Sequence, residues 1–136
     1  MIKYVIDASV VLKALLEKDS STSAHFHKVL LQVEEKKALI FVPHLLSVEV
    51  ANGLRFSVRE KEKAAQKLLA FSELPLLFFE IDTQHALQIL ALSYDLGTTV
   101  YDTTYHQIAL LVGGTFLTAD KKYVERAKNL GSIQVI

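Results

Sequence analysis

Short apolar runs of β type alternate with longer stretches of helical spacing along the whole chain, and this alternation restricts the fold more than any single motif. The β-type runs are IKYVI (2–6), LIFV (39–42, closed by Pro43), LLFFEI (76–81), GTFLTA (114–119) and a closing SIQVI (132–136). Between the first two, ASVVLKALLE (8–17) takes helical spacing through Val11, Leu15 and Leu16. SSTSAHFHKVLLQVEEKK (20–37) then places Phe26, Val29, Leu30 and Val33 on one face behind hydroxyl residues suited to capping. After Pro43, Leu46, Val50 and Leu54 line a third helix. In the fourth, REKEKAAQKLLAFSEL (59–74), Ala65, Leu68, Leu69 and Ser72 are expected to face inward. TQHALQILALSYDLG (83–97) is expected to end at Gly97 as its C-terminal cap. DTTYHQIALLVGG follows with Asp102 or Thr103 as N-cap, and DKKYVERAKNLG (120–131) forms the last helix. Parallel strand neighbours require crossover connections, so this order predicts an α/β fold, a parallel sheet covered by helices on both faces.

A length of 136 residues and a 51% hydrophobic fraction predict one domain, residues 1–136, with a single core. No apolar run approaches the roughly 18 to 20 residues that a membrane span needs, so a soluble, non-exported protein without membrane contact is expected. The absence of cysteine excludes disulfides, thiolate metal sites and thiol catalysis, and agrees with a cytoplasmic location. Fifteen Lys and Arg balance fifteen Asp and Glu, so no global positive field draws in nucleic acid. Any such contact would fall to local groups: Arg55, Arg59, Lys61, Lys63 and Lys67, or Lys121, Lys122, Arg126 and Lys128. Solvated helix faces are the simpler account of both.

Four acids stand where strands hand over to helices or on the helix that follows: Asp7, Glu49, Asp102 and Asp120. Asp7, Asp102 and Asp120 each suit helix capping. Glu49 lies beside the apolar stripe of its helix, where an unpaired carboxylate is costly, so it is expected to be paired, neutralised or metal-bound, with Asn52 one turn on to orient it. Ser9 and Thr118 carry hydroxyls beside Asp7 and Asp120. In an open parallel sheet these positions converge on the carboxyl edge of the strands, where ligands bind. Gathered carboxylates raise one another's proton affinity and call for a hard dication, and an all-oxygen site suits Mg²⁺ or Mn²⁺. That pattern points to metal-assisted phosphate chemistry without a protein nucleophile. The five histidines show no zinc-binding spacing and are read as ordinary surface or partly buried residues, with His106 one turn after Asp102.

The ordered set Asp7 with Ser9 in DAS, Glu49 with Asn52 as ExxN on the third helix, Asp102 in YDTTY and Thr118 with Asp120 in TAD resembles the PIN-domain nucleases, more narrowly the VapC-type toxins, over nearly the whole chain. The resemblance implies a three-layer α/β/α domain with a central parallel sheet, and Mg²⁺- or Mn²⁺-dependent hydrolysis of RNA phosphodiester bonds. It further implies homodimerisation and inhibition by a VapB-like antitoxin whose tail fills the active-site groove. Asp7, Glu49, Asp102 and Asp120 would form the catalytic set, Asp7 and Asp102 as direct metal ligands, while Ser9, Asn52 and Thr118 orient carboxylates and waters. His106 departs from the family, which usually has an apolar residue there. A receiver or haloacid-phosphatase domain also places acids at strand ends, but Ser9 stands where the phosphatase motif needs a second acid, and LLFFEI offers no phosphoacceptor aspartate. The remaining alternative is a PIN-like module that binds RNA or protein without cutting.

Overall fold

A computed structural model describes residues 1–16 and 19–136. The first strand, β1 (Ile2–Ile6), leads through Asp7 into α1 (Ala8–Leu15), and α2 (Ser21–Glu34) returns the chain to β2 (Ala38–Pro43). The expected extension of α1 to Glu17 lies outside the described residues. Then come α3 (Leu45–Ser57), α4 (Lys61–Ser72), β3 (Leu77–Phe79), α5 (Thr83–Leu96), α6 (Val100–Val112), β4 (Thr115–Thr118), α7 (Lys121–Ala127), a 3-10 turn (Lys128–Leu130) and β5 (Ile133–Val135).

All pairings in the sheet are parallel, in the order β3-β2-β1-β4-β5. The chain works outward from β1 to β3, then crosses back to lay β4 against the free side of β1. The gap between β1 and β4 is therefore the switch point of the sheet, where ligands of open α/β folds bind beyond the strand ends. Ile6 is paired with Leu117, so Asp7 emerges beside Thr118. Helices cover both faces in three layers. Val5, Ile6, Ile40, Val42, Phe116 and Leu117 of the central strands are buried, with Val10, Val11, Leu46, Val50 and Leu54 packed in the same core as Tyr105 and Ile108 of α6.

Three expectations need correction. In α4 the inward residues are Phe71, buried, with Ala64 and Leu68 partly buried, whereas Ala65 and Ser72 are exposed and Leu69 is 67% exposed. The helix is rotated by about one residue because the bulky Phe71 takes the core position and Ser72 bonds its own helix, its hydroxyl donating to the Leu69 carbonyl at 2.5 Å. The third strand is only three residues long and stands at the sheet edge, where Leu77 and Phe78 are exposed. Lastly, α6 begins at Val100 with Thr99 as its cap, the Thr99 hydroxyl accepting from the Asp102 N–H at 3.1 Å. Asp102 therefore belongs to the first turn and caps nothing, and no strand precedes it. Gly97 (φ 64°) and Gly113 (φ 69°) close α5 and α6 in the left-handed region that glycine adopts without strain, as expected for Gly97 and for the glycine pair.

Candidate active site

The strand ends of β1 and β4 are joined by side chains. The Asp7 carboxylate accepts the Ser9 hydroxyl at 2.5 Å and the Val10 N–H at 3.3 Å on one oxygen, and the Thr118 hydroxyl at 2.5 Å on the other. The same two hydroxyls look the other way as acceptors: Ser9 Oγ takes the Ala119 N–H and Thr118 Oγ1 takes the Asp120 N–H, each at 3.0 Å. One Ser and one Thr thus tie the DAS segment to the TAD segment and fix Asp7 relative to Asp120. Asp120 caps α7, its Oδ1 accepting from the Tyr123 N–H at 3.1 Å. Capping and a place in the cleft coexist at both residues.

Glu49 stands on α3 and faces α6. Its carboxylate receives the hydroxyl of Tyr105, a residue only 1% exposed whose ring stacks on Phe116. Asn52 is exposed and no described hydrogen bond joins it to Glu49; the orienting group is Tyr105 instead. Tyr105 was missed by sequence reasoning, although the second tyrosine of YDTTY lies one turn beyond Tyr101 on a helix heading for the site. Burial and the Glu49 carboxylate together push the Tyr105 hydroxyl well above the usual phenol range, so it stays a donor at all working pH.

The charges of the acids bear on one another. Desolvation by burial raises the pKa of Asp7, Glu49 and Asp102 above the ordinary carboxylate values. Repulsion adds to it: Asp102 and Asp7 act on Glu49, and Asp120 acts on Asp102. Hydrogen bonds from Ser9 and Thr118 to Asp7, and from Tyr105 to Glu49, pull in the opposite direction without prevailing. Among the described residues, none of the four takes part in an ion pair with a lysine or arginine. The salt-bridge alternative for Glu49 thus finds no support.

The acids meet at one edge of the sheet but do not form a closed cage. Among the described residues, no three His, Asp or Glu side chains are grouped as a ready ion-holding set. Asp102 and Asp120 share a cavity of ≈ 470 Å³ with Thr98, Thr99 and Tyr123, while Glu49 and Asn52 line a second one, of ≈ 470 Å³, with Ala8, Leu12 and Tyr101. An octahedral Mg²⁺ keeps several waters and takes only one or two carboxylates directly, so an open, all-oxygen, unpaired acid set fits that ion.

His106 is fully buried. Its Nε2 lies 2.8 Å from the Gly131 carbonyl, which can only accept, so Nε2 carries the proton and Nδ1 accepts the Tyr123 hydroxyl at 3.0 Å. Burial lowers its pKa. The unusual residue packs as a neutral link between α6, α7 and the segment before β5.

The family model described as PIN domain matches residues 4–129. Among curated proteins, no relative matches in sequence. Solved structures share the fold at low identity. PAE2754 from Pyrobaculum aerophilum is 20% identical with a TM-score of 0.68, over 98% of this chain and 90% of that one. VapBC2 from Rickettsia felis, bound to a DNA fragment from its promoter, is 16% identical with a TM-score of 0.69, over 99% and 98%. DNA-bound VapBC from Salmonella typhimurium is 18% identical with a TM-score of 0.66, over 100% and 98%.

Proposed function

The chain belongs to the PIN-domain family, and from that premise we propose that it is a Mg²⁺- or Mn²⁺-dependent ribonuclease, the toxin of a VapBC-type pair. What supports this reading is the mutual electrostatics of the acids: Asp7, Glu49 and Asp102 have raised proton affinity, Asp7 and Asp102 repel Glu49, Asp120 repels Asp102, and among the described residues none of the four pairs with a lysine or arginine. A fold that keeps such a set without neutralising it stays unfavourable at neutral pH unless a cation arrives. The VapBC structures that share the fold support a VapB-like antitoxin as partner; a homodimer as assembly is part of the proposal and rests on the family resemblance alone.

Asp7 and Asp102 would hold the ion. When bound, it supplies a water of lowered pKa and neutralises charge on the phosphoryl oxygens. Ser9 and Thr118 keep both oxygens of Asp7 aimed, and Tyr105 keeps Glu49 over the site. Glu49 and Asp102, partly buried and with raised proton affinity, suit the role of proton acceptor from the attacking water. Asp120, held by the Tyr123 N–H through one oxygen, lines the cavity it shares with Asp102.

RNA cleavage measured with Mg²⁺, with EDTA and with Asp7→Asn tests the proposal. Cutting only by the unmodified chain with metal is expected. Equal cutting in all three refutes it, and metal binding without cleavage of any RNA would favour the non-catalytic binding module.

A further inference from the structure

The cavity that holds Asp102 and Asp120 is not acidic throughout. Lys122 and Arg126 of α7, both exposed, line it too, as do Gly97 and Thr98 of the α5–α6 connection. Arg126 is anchored: its Nη1 donates to the Gly97 carbonyl at 2.7 Å. A Cβ on Gly97 would come within 3.0 Å of that nitrogen, and Gly97 also has φ +64°, so the position tolerates neither bulk nor an ordinary backbone. The anchoring bond uses one of the five guanidinium N–H groups and leaves the positive charge uncompensated. Among the described residues, neither Lys122 nor Arg126 pairs with a carboxylate, although Asp102 and Asp120 line the same cavity.

Two cations and two carboxylates lining one open cavity, with no ion pair between them among the described residues, describe a surface suited to an anionic ligand. A phosphodiester backbone has that chemistry: with an ion bound at the acids, one phosphate would be taken there and a neighbouring one by the cations. We propose that Lys122 and Arg126 form the phosphate-holding wall of the active site, gripping the backbone of single-stranded RNA next to the bond that is cut. This inference rests on the ribonuclease reading and adds the path of the strand, along α7. The basic group between α3 and α4, around Arg55, Arg59 and Lys61, lines a separate and more apolar groove.

The test is the salt dependence of binding to a fluorescein-labelled, 2′-O-methyl single-stranded RNA that cannot be cut, in Mg²⁺. Each phosphate contact on a single strand contributes about 0.7 to the slope of log K against log salt. Lys122→Gln and Arg126→Gln are each expected to lower the slope by about 0.7, and the double variant by about 1.4. Arg126→Gln gives up the bond to the Gly97 carbonyl, so thermal melts check that each variant is folded. An unchanged slope in both, with Arg55→Gln or Arg59→Gln lowering it, would overturn the wall and put the strand on the α3–α4 side. Failure of the unmodified protein to retain the RNA at any salt would instead remove the ribonuclease reading, and the wall with it.

Discussion

Replacing Tyr105 by Phe removes one oxygen from the centre of the molecule and leaves the rest of the ring in place, stacked on Phe116 at 5.8 Å between centroids. The lost bond has a carboxylate as acceptor, for which net contributions run to about 1.5–3 kcal/mol. Glu49 is only partly buried and can recover some water, which favours the lower end, about 1.5 kcal/mol. With an unfolding entropy of about 2.1 cal/mol/K per residue, 136 residues turn that into a fall in Tm of about 5 °C. The loss should also depend on pH. Tyr105 lowers a Glu49 pKa that burial has raised, so its removal raises the pKa further. A carboxyl with a raised folded pKa contributes stability below its unfolded value and loses it as pH rises through the folded one. The deficit of Tyr105→Phe is therefore small in acid and grows toward neutrality. Urea denaturation at pH 4.5 and 7.5, repeated in a Glu49→Gln background, measures the coupling directly. An equal cost in both backgrounds would mean that the hydroxyl matters for packing alone, and the positioning argument for Glu49 would fall.

Asp102→Asn, melted in EDTA, should be as stable as the unmodified chain or more so, because it removes a carboxylate whose raised pKa costs stability at neutral pH; a clear loss would mark Asp102 as structural. Thr118→Val keeps the shape of a fully buried side chain but releases both Asp7 and the Asp120 N–H, so metal affinity by calorimetry should fall about 10- to 100-fold. His106 is held neutral with a lowered pKa, so its stability contribution is complete above the unfolded value of about 6.5 and is lost as pH falls below it. Stability of the His106→Leu variant should accordingly decline less between pH 7 and pH 5, as read by urea titration. Gly114→Ala sets a Cβ 2.6 Å from the backbone oxygen of Lys3 in β1, which cannot swing aside, and should cost about 1–3 kcal/mol in the same assay.

The parts of this molecule that were legible in its sequence are those governed by local chemistry. Period-2 and period-3.6 patterns gave the strand and helix order, and Gly97 and Asp120 announced their caps because conformation and capping act within a few residues. The errors mark where distant packing decides. Whether Phe71 or Leu69 turns inward on α4 depends on which pocket the core leaves open, and the pattern AAQKLLAF allows either. Thr99 displaced Asp102 as the cap of α6 because the helix starts three residues earlier than an Asp102 cap implies, on an apolar Val100 that is not a helix-start signal. Tyr105 and Glu49 are 56 positions apart, and nothing local to either announces the other. The same holds for the two hydroxyls that join DAS to TAD: Ser9 and Thr118 were singled out, but the two bonds that cross between the segments, Thr118 donating to Asp7 and Ser9 accepting from the Ala119 N–H, exist only once β4 lies beside β1.

That late juxtaposition has a temporal side. Thr118 reaches Asp7 across 111 positions, and β4 is synthesised after the first three strands and the first six helices. Pairings of such wide separation are costly to close and tend to form after local ones. A ribosome-bound fragment ending before residue 115 carries Asp7, Glu49 and Asp102 yet lacks the strand that locks the first of them and the whole of Asp120. Under the proposed function, a cleavage activity assembled in this way is withheld from copies not yet synthesised past β4.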